Sequence, residues 1–252
     1  MTELAEVLAG YTRQQVVLGH SGAAVYRLVA PGKPKLFVKE AVAKLHEEVL
    51  RLEWLRGKVP VPKVVHFCEN EHGSVLVTTA VSGVNLTDFN DESPGIKRQF
   101  AKVLAEALRR LHAVDPHGCP FDHSAERELG RFEEKLSALE AATGETLNIR
   151  RAHHKLAELR QKQPEETLVL THGDACLPNV LVQDFRFSGF VDLGAAGLGD
   201  RWRDLERACW SLGYNYGAGY DELFLNAYGV SESDRKKMDF YRELESFSFG
   251  SV

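Results

Sequence analysis

Residues 171–182, THGDACLPNVLV, restrict what this 252-residue chain can fold into more than any other stretch. The apolar run Thr167–Leu170 leads in and Val180–Leu181–Val182 leads out. Between them stand His172, Gly173, Asp174, Pro178 and Asn179, a poor set for a buried core. A further apolar run in FSGFVDLG ends at Asp192, thirteen residues beyond Asn179, which is itself five beyond Asp174. Two short strand-like runs joined by a tight connection read as a β-hairpin. Asp174, Asn179 and Asp192 can then converge at one end of it. Two carboxylates and an amide oxygen form a hard, oxygen-rich set, suited to Mg²⁺ held by one or two carboxylates and substrate phosphates. A carboxylate left off the metal can orient a hydroxyl and accept its proton.

The hydrophobic period changes along the chain. The first ~80 residues carry short β-type runs, QQVVLG, AAVYRLV, KLFVKEA, VPKVVHFCE and SVLVTTAV, separated by Gly and Pro signals. One helical pattern interrupts them, with Leu45, Val49, Leu52 and Leu55 on one face and Gly57 past its end. After Gly83 the pattern turns helical at 96–114, 124–142, 150–162, 202–213, 219–228 and 231–247. The expectation is an α+β chain of two lobes: a small antiparallel-sheet lobe over 1–82 and a mainly helical lobe over 83–252. The site is expected in the cleft between them. Trp54, Trp202 and Trp210 lie in helical patterns and are expected in the core. The His153–His154 pair reads as a solvated helix face rather than a metal site.

A formal net charge of −5 offers no basic footprint for nucleic acid. Cys68, Cys119, Cys176 and Cys209 are widely spaced and form no C-x-x-C pair, which fits reduced thiols in a cytoplasmic protein. The first ten residues lack a basic stretch followed by a long apolar one, so no signal peptide is expected. No apolar run approaches the ~18 residues of a membrane helix. Oligomeric state is not legible.

The motifs HGDACLPNVLV, FSGFVDLG and GDRWRDL resemble the aminoglycoside phosphotransferases, kinases of the eukaryotic-like fold. CPFDH and the late FYREL resemble the 3′-phosphotransferase branch, and the resemblance runs from about residue 10 to 247. It implies a two-lobed protein-kinase-like fold and a set of roles. Asp174 matches the catalytic residue that orients the acceptor hydroxyl, and Asn179 and Asp192 match the Mg²⁺ ligands. Lys39 matches the lysine over the nucleotide phosphates, with Glu48 as its partner, although Glu47 is adjacent and helix phase decides between them. Ser21, Gly22 and Ala23 fall where backbone N–H groups cover the phosphates. The backbone from Thr79 to Val81 matches the hinge that meets the adenine. His172 matches a structural member of the catalytic loop.

The implied activity is transfer of the γ-phosphate of ATP, with GTP as an open alternative, to an aminoglycoside hydroxyl, the 3′-hydroxyl first. The alternatives are a kinase for another hydroxylated cationic metabolite and a nucleotide-binding pseudokinase. Three departures touch the acceptor side. Ala195 stands where the family has an arginine. The region TGETLNIRRAHHK holds one acid, Glu145, where the branch has an acidic loop. The chain runs five residues past Phe247, which moves the terminal carboxylate. Of the late acids, Glu245 matches an acidic position of the family and is the expected acceptor contact.

Overall fold

The computed structural model describes residues 2–16, 23–230 and 235–250. The chain forms two compact units, Met1–Asn85 with Asn179–Ala195, and Leu86–Pro178 with Ala196–Val252. It passes between them three times, where the sequence suggested one boundary at 82–83. The segment carrying Asn179 and Asp192 belongs to the first unit, not to the helical second one.

The first unit begins with helix α1 (Thr2–Leu8), then strands β1 (Thr12–Val16), β2 (Ala24–Val29) and β3 (Leu36–Ala41). Helix α2 (His46–Leu55) follows, then strands β4 (Val64–Asn70), β5 (Gly73–Thr79) and the short β6 (Val84–Asn85). Five strands make an antiparallel sheet in the order β1-β2-β3-β5-β4. The period of two then sorts side chains by face. Leu36 and Val38 of β3 join Leu28 and Val77 in a buried cluster covered by Leu4, Val7 and Leu8 of α1. Lys39, one residue on, projects from the opposite face. Helix α1 was not expected, because seven residues are too short a run to display a helical period.

The second unit opens with α3 (Pro94–His112), α4 (Ala125–Thr143) and α5 (Leu147–Lys162). Each start has a side-chain cap: Ser93, Ser124 and Thr146 accept from the third residue beyond. Pro94 adds a first-turn proline, whose missing N–H costs nothing there. Strand β7 (Leu168–Thr171) leads to the loop around Asp174, and a 3-10 turn at Leu177–Asn179 leads out.

The chain then enters the first unit as the hairpin β8 (Val180–Gln183) and β9 (Arg186–Phe190). β8 pairs with β6, the Phe190 amide donates to Pro60 O at 2.9 Å, and the Ser188 hydroxyl donates to Ser82 O at 2.6 Å. Strand β10 (Gly197–Asp200) returns beside β7, and α6 (Arg201–Tyr216), α7 (Tyr220–Tyr228) and α8 (Arg235–Gly250) complete the second unit. The expected start of the last helix, near Ser231, lies outside the described residues.

Trp202 is buried, as its helical pattern suggested, but Trp210 is 50% exposed. The buried stripe of α6 runs through Leu205, Ala208, Cys209 and Leu212, which turns position 210 outward. All four cysteines are free thiols. Among the described residues no helix is long and apolar enough to cross a membrane.

Candidate active site

In the first unit the candidate residues gather on Lys39. Its ammonium lies 2.8 Å from Glu48 Oε2 and 3.0 Å from Asp192 Oδ1. Helix phase selects Glu48, because Glu47 instead turns to Arg51 one turn along α2, at 2.9 Å. Burial works against the Lys39 charge, but Asp192 and Glu48 outweigh it and hold the lysine above its usual pKa. The ammonium therefore stays charged at any working pH.

Asp192 follows β9 with φ of 57°, a left-handed backbone that aspartate tolerates better than most residues. Asn179 is fixed near it, since its carbonyl accepts from the Val191 amide at 3.0 Å. Two glycines let the hairpin approach. A Cβ at Gly189 would stand 2.7 Å from Val81 and 2.8 Å from Pro60 O. At Gly83, with φ of +102°, a Cβ would collide with Val182 O.

At the expected adenine contact the Thr79 amide donates to Lys63 O at 2.9 Å and the Ala80 amide to Lys35 O at 3.1 Å, which holds the end of β5. Val81 follows directly, beside Gly189 of β9. Of the expected phosphate loop, Ser21 and Gly22 lie outside the described residues. Ala23 directly precedes β2, the strand beside Lys39.

In the second unit the loop around Asp174 is fastened to one stripe of α6. Asp204 accepts from the His172 and Gly173 amides at 2.7 and 2.8 Å. Ser211 Oγ accepts from the Leu177 amide at 3.0 Å. Between them Arg207 Nε donates to Asp174 Oδ1 at 2.9 Å. Positions 204, 207 and 211 share one helix face, so three successive polar residues grip successive parts of one loop.

Asp204 is fully buried, and His112 Nε2 lies 3.0 Å from it, with Tyr228 OH 2.7 Å from the other ring nitrogen. His112 thus links Asp204 to Tyr228 through its two ring nitrogens. Burial favours the protonated form of Asp204, yet His112 and the His172 amide hold its carboxyl below the usual range. His172 is itself fully buried, its Nδ1 accepting from the Asp174 amide at 3.3 Å. That is a loop-building place, as the resemblance implied.

Asp174 Oδ1 also receives the Cys176 thiol at 3.1 Å. Burial acts to raise the Asp174 carboxyl, but Cys176 and Arg207 prevail and keep it below the ordinary aspartate value. At neutral pH it is a carboxylate. The sequence reading found Asp174 and missed Arg207, Asp204 and Ser211. The signal was present as polar residues at i, i+3 and i+7 on a helix whose neighbouring stripe is apolar.

The acids of α8 near the expected acceptor contact already have cationic partners. Glu243 lies 2.7 Å from Lys155 and 3.3 Å from Lys162. Glu245, 18% exposed, is 3.5 Å from Arg203, and its carboxyl is raised by burial against the pull of Arg203. Phe247 packs edge-on to Phe132 of α4 at 5.1 Å. His153 and His154 lie on a solvent-facing side of α5, paired with Glu140 and Glu158. Among the described residues no group of three or more His, Cys, Asp or Glu gathers as a metal site.

The model of the phosphotransferase enzyme family matches residues 3–241. The chain belongs to the aminoglycoside phosphotransferase family. An aminoglycoside 3′-phosphotransferase of Niallia circulans is 33% identical over 258 residues, covering 97% of this chain and 96% of that one. One of Streptomyces fradiae is 35% identical over 253 residues, covering 91% and 92%. The crystal structure of an aminoglycoside-3′-phosphotransferase of type VIII superposes with a TM-score of 0.77 at 33% identity, covering 98% of this chain and 97% of that one. Membership of the aminoglycoside phosphotransferase family makes the chain a phosphotransferase with a two-lobed kinase-like fold.

Proposed function

We propose that this protein transfers the γ-phosphate of ATP to an aminoglycoside hydroxyl, the 3′-hydroxyl first, in the cytoplasm. What carries the reading is the fixed Lys39–Glu48–Asp192 arrangement and the loop-held Asp174 carboxylate, in a chain that matches 3′-phosphotransferases from end to end. Phosphoryl transfer has a loose transition state, so placement and charge neutralisation do most of the work. Lys39 would hold the nucleotide phosphates, Glu48 would aim Lys39, and Val81 would meet the base.

Mg²⁺ fits the donors present. Asn179 and Asp192 supply one amide oxygen and one carboxylate, few enough that nucleotide phosphates and water must complete an octahedron, as this ion prefers. When bound, it would neutralise charge on the transferring phosphate. Asp174, ionised and fixed by two donors, would orient the acceptor hydroxyl and take its proton late. The ionised, loop-held Asp174 speaks against a nucleotide-binding pseudokinase, which has no use for a carboxylate that orients an acceptor hydroxyl.

The ion-paired state of Glu243 and Glu245 favours a second reading of the acceptor alone: another hydroxylated cation as the preferred substrate, with antibiotics modified more slowly. The test is phosphate transfer from labelled ATP to kanamycin, to its 3′-deoxy analogue and to a panel of other amino sugars. Transfer to kanamycin and not to the 3′-deoxy compound is expected. Equal labelling of the two would refute the 3′ assignment.

A further inference from the structure

We propose that Arg207 is the positioning residue for Asp174, holding its carboxylate at one angle toward the acceptor. The inference rests on the phosphotransfer reading for the identity of the acceptor only.

Three observations carry it. The first is the bond itself, Nε to Oδ1 at 2.9 Å, between side chains that are 22% and 37% exposed. A charge-assisted bond of this length is about twice as strong as a neutral one, and partial burial reduces its screening by water without removing it. The second is the hold on the arginine. Its guanidinium lies 4.6 Å from the centroid of Trp210, and Trp210 stacks on Tyr214 at 5.5 Å with an 11° interplanar angle. Arg207, Trp210 and Tyr214 are spaced by three and four residues, so the rings form a ledge along α6 under the guanidinium. This explains why Trp210 and Tyr214 stand outside the core at 50% and 78% exposure. A planar cation lying on a ring keeps fewer rotamers than a free one, so its Nε–H reaches Asp174 already aimed.

The third is the position in the stripe. Asp204 and Ser211, on either side, hold the loop through its backbone amides, and Ser211 also touches the Cys176 thiol. Arg207 alone of the three acts on the side chain of Asp174. Cys176 adds a second donor on the same oxygen from within the loop. Backbone anchoring places the Asp174 Cα; the side-chain torsions need their own restraint, and the Arg207 bond supplies it.

The charged and titratable groups bearing on Asp174 are His172 and Cys176 in the loop and Arg207 on α6, with Glu245 of α8 bearing on Arg207 in turn. A loss confined to orientation should appear in kcat and spare the nucleotide KM. Misplacing a reacting group by about 1 Å costs up to ~10²-fold.

The experiment compares wild type with Arg207→Met, which keeps the apolar stem over Trp210, and Arg207→Lys, which keeps charge without the planar fork. Folding is checked by circular dichroism and nucleotide affinity by titration. The measurements are kcat and KM for transfer, slow nucleotide hydrolysis with water as acceptor, and the ¹³C carboxyl titration of Asp174, assigned with Asp174→Asn. Expected for Arg207→Met are a kcat lowered on the order of 10- to 100-fold, an unchanged nucleotide KM and an Asp174 titration moved to higher pH. Arg207→Lys should recover part of kcat and most of the titration shift. An unmoved Asp174 titration, or a kcat loss that appears only with loss of fold or nucleotide affinity, overturns the proposal. If no aminoglycoside is phosphorylated by wild type, the acceptor reading fails alone, because hydrolysis and titration still decide on Arg207.

Discussion

At the scale of single residues the decisive feature is one ammonium shared by two carboxylates. An ammonium has three N–H donors; Lys39 directs two at Glu48 and Asp192, and under the proposed function the third serves a nucleotide phosphate. Removing the ammonium should therefore weaken nucleotide binding before it harms the acceptor step. Lys39→Ala is expected to raise the KM for ATP by at least ~10-fold, or more than 1.4 kcal/mol, and to leave the KM for the acceptor within about twofold. Initial rates over a grid of both substrates decide it; a loss carried by the acceptor KM would reassign Lys39. Asp192 has the opposite profile. Asp192→Asn keeps size but loses the charge that suits Mg²⁺, so transfer should fall about 100-fold or more and recover little with added metal. A variant that saturates with Mg²⁺ at the wild-type rate would take Asp192 out of the metal site.

At the scale of elements, the hairpin β8–β9 decides where Asn179 and Asp192 stand, and it is seated by backbone contact at Gly189. Adding one methyl there meets Pro60 O and Val81, neither of which is the end of a flexible side chain. Gly189→Ala should shift β9 away from Pro60, lower stability by about 1–3 kcal/mol and raise the KM for ATP through Val81 and Asp192 together. Thermal unfolding with and without nucleotide reads both effects; unchanged values for each would show that the hairpin is seated elsewhere. Gly189 also shows what the sequence could reveal. Long elements such as α3 and α6 were legible because their period repeats over several turns. The closeness of Asn179 to the end of β9 was legible because a hairpin is local. Elements α1, β6 and β10 were not, since seven, two and four residues establish no period. Arg207 was not because its helical spacing reveals a polar stripe without saying which loop, some thirty residues earlier, the stripe faces. Glu48 over Glu47 was a question of phase, which α2 answers only once its packing fixes its rotation.

At the scale of the whole molecule, stability should depend on acid through a cluster far in sequence from the chemistry. Glu128 of α4 accepts from His123 Nδ1 at 2.6 Å and from Arg131 at 2.7 Å, with Arg203 also acting on it. Burial alone would raise its carboxyl, but His123, Arg203 and Arg131 reverse that and lower it to about 2. Burial likewise keeps the His123 imidazole below its ordinary value despite the pull of Glu128. A carboxyl whose folded pKa is depressed binds protons more readily when unfolded. Its contribution is therefore complete above the unfolded value near 4.5 and disappears as pH falls from there toward about 2. A depressed histidine has the same sign, losing stability as pH drops below its ordinary value of 6.5. Urea unfolding of the wild type should thus weaken by about 2–3 kcal/mol from this carboxylate as pH falls toward 2. Glu128→Gln should be less stable than wild type at pH 7, with a gap that narrows steadily below pH 4.5. A gap that stays constant down to pH 3 would show that the carboxylate is not held in the ionised state by His123, Arg203 and Arg131, and that the acid sensitivity of the fold arises from other groups.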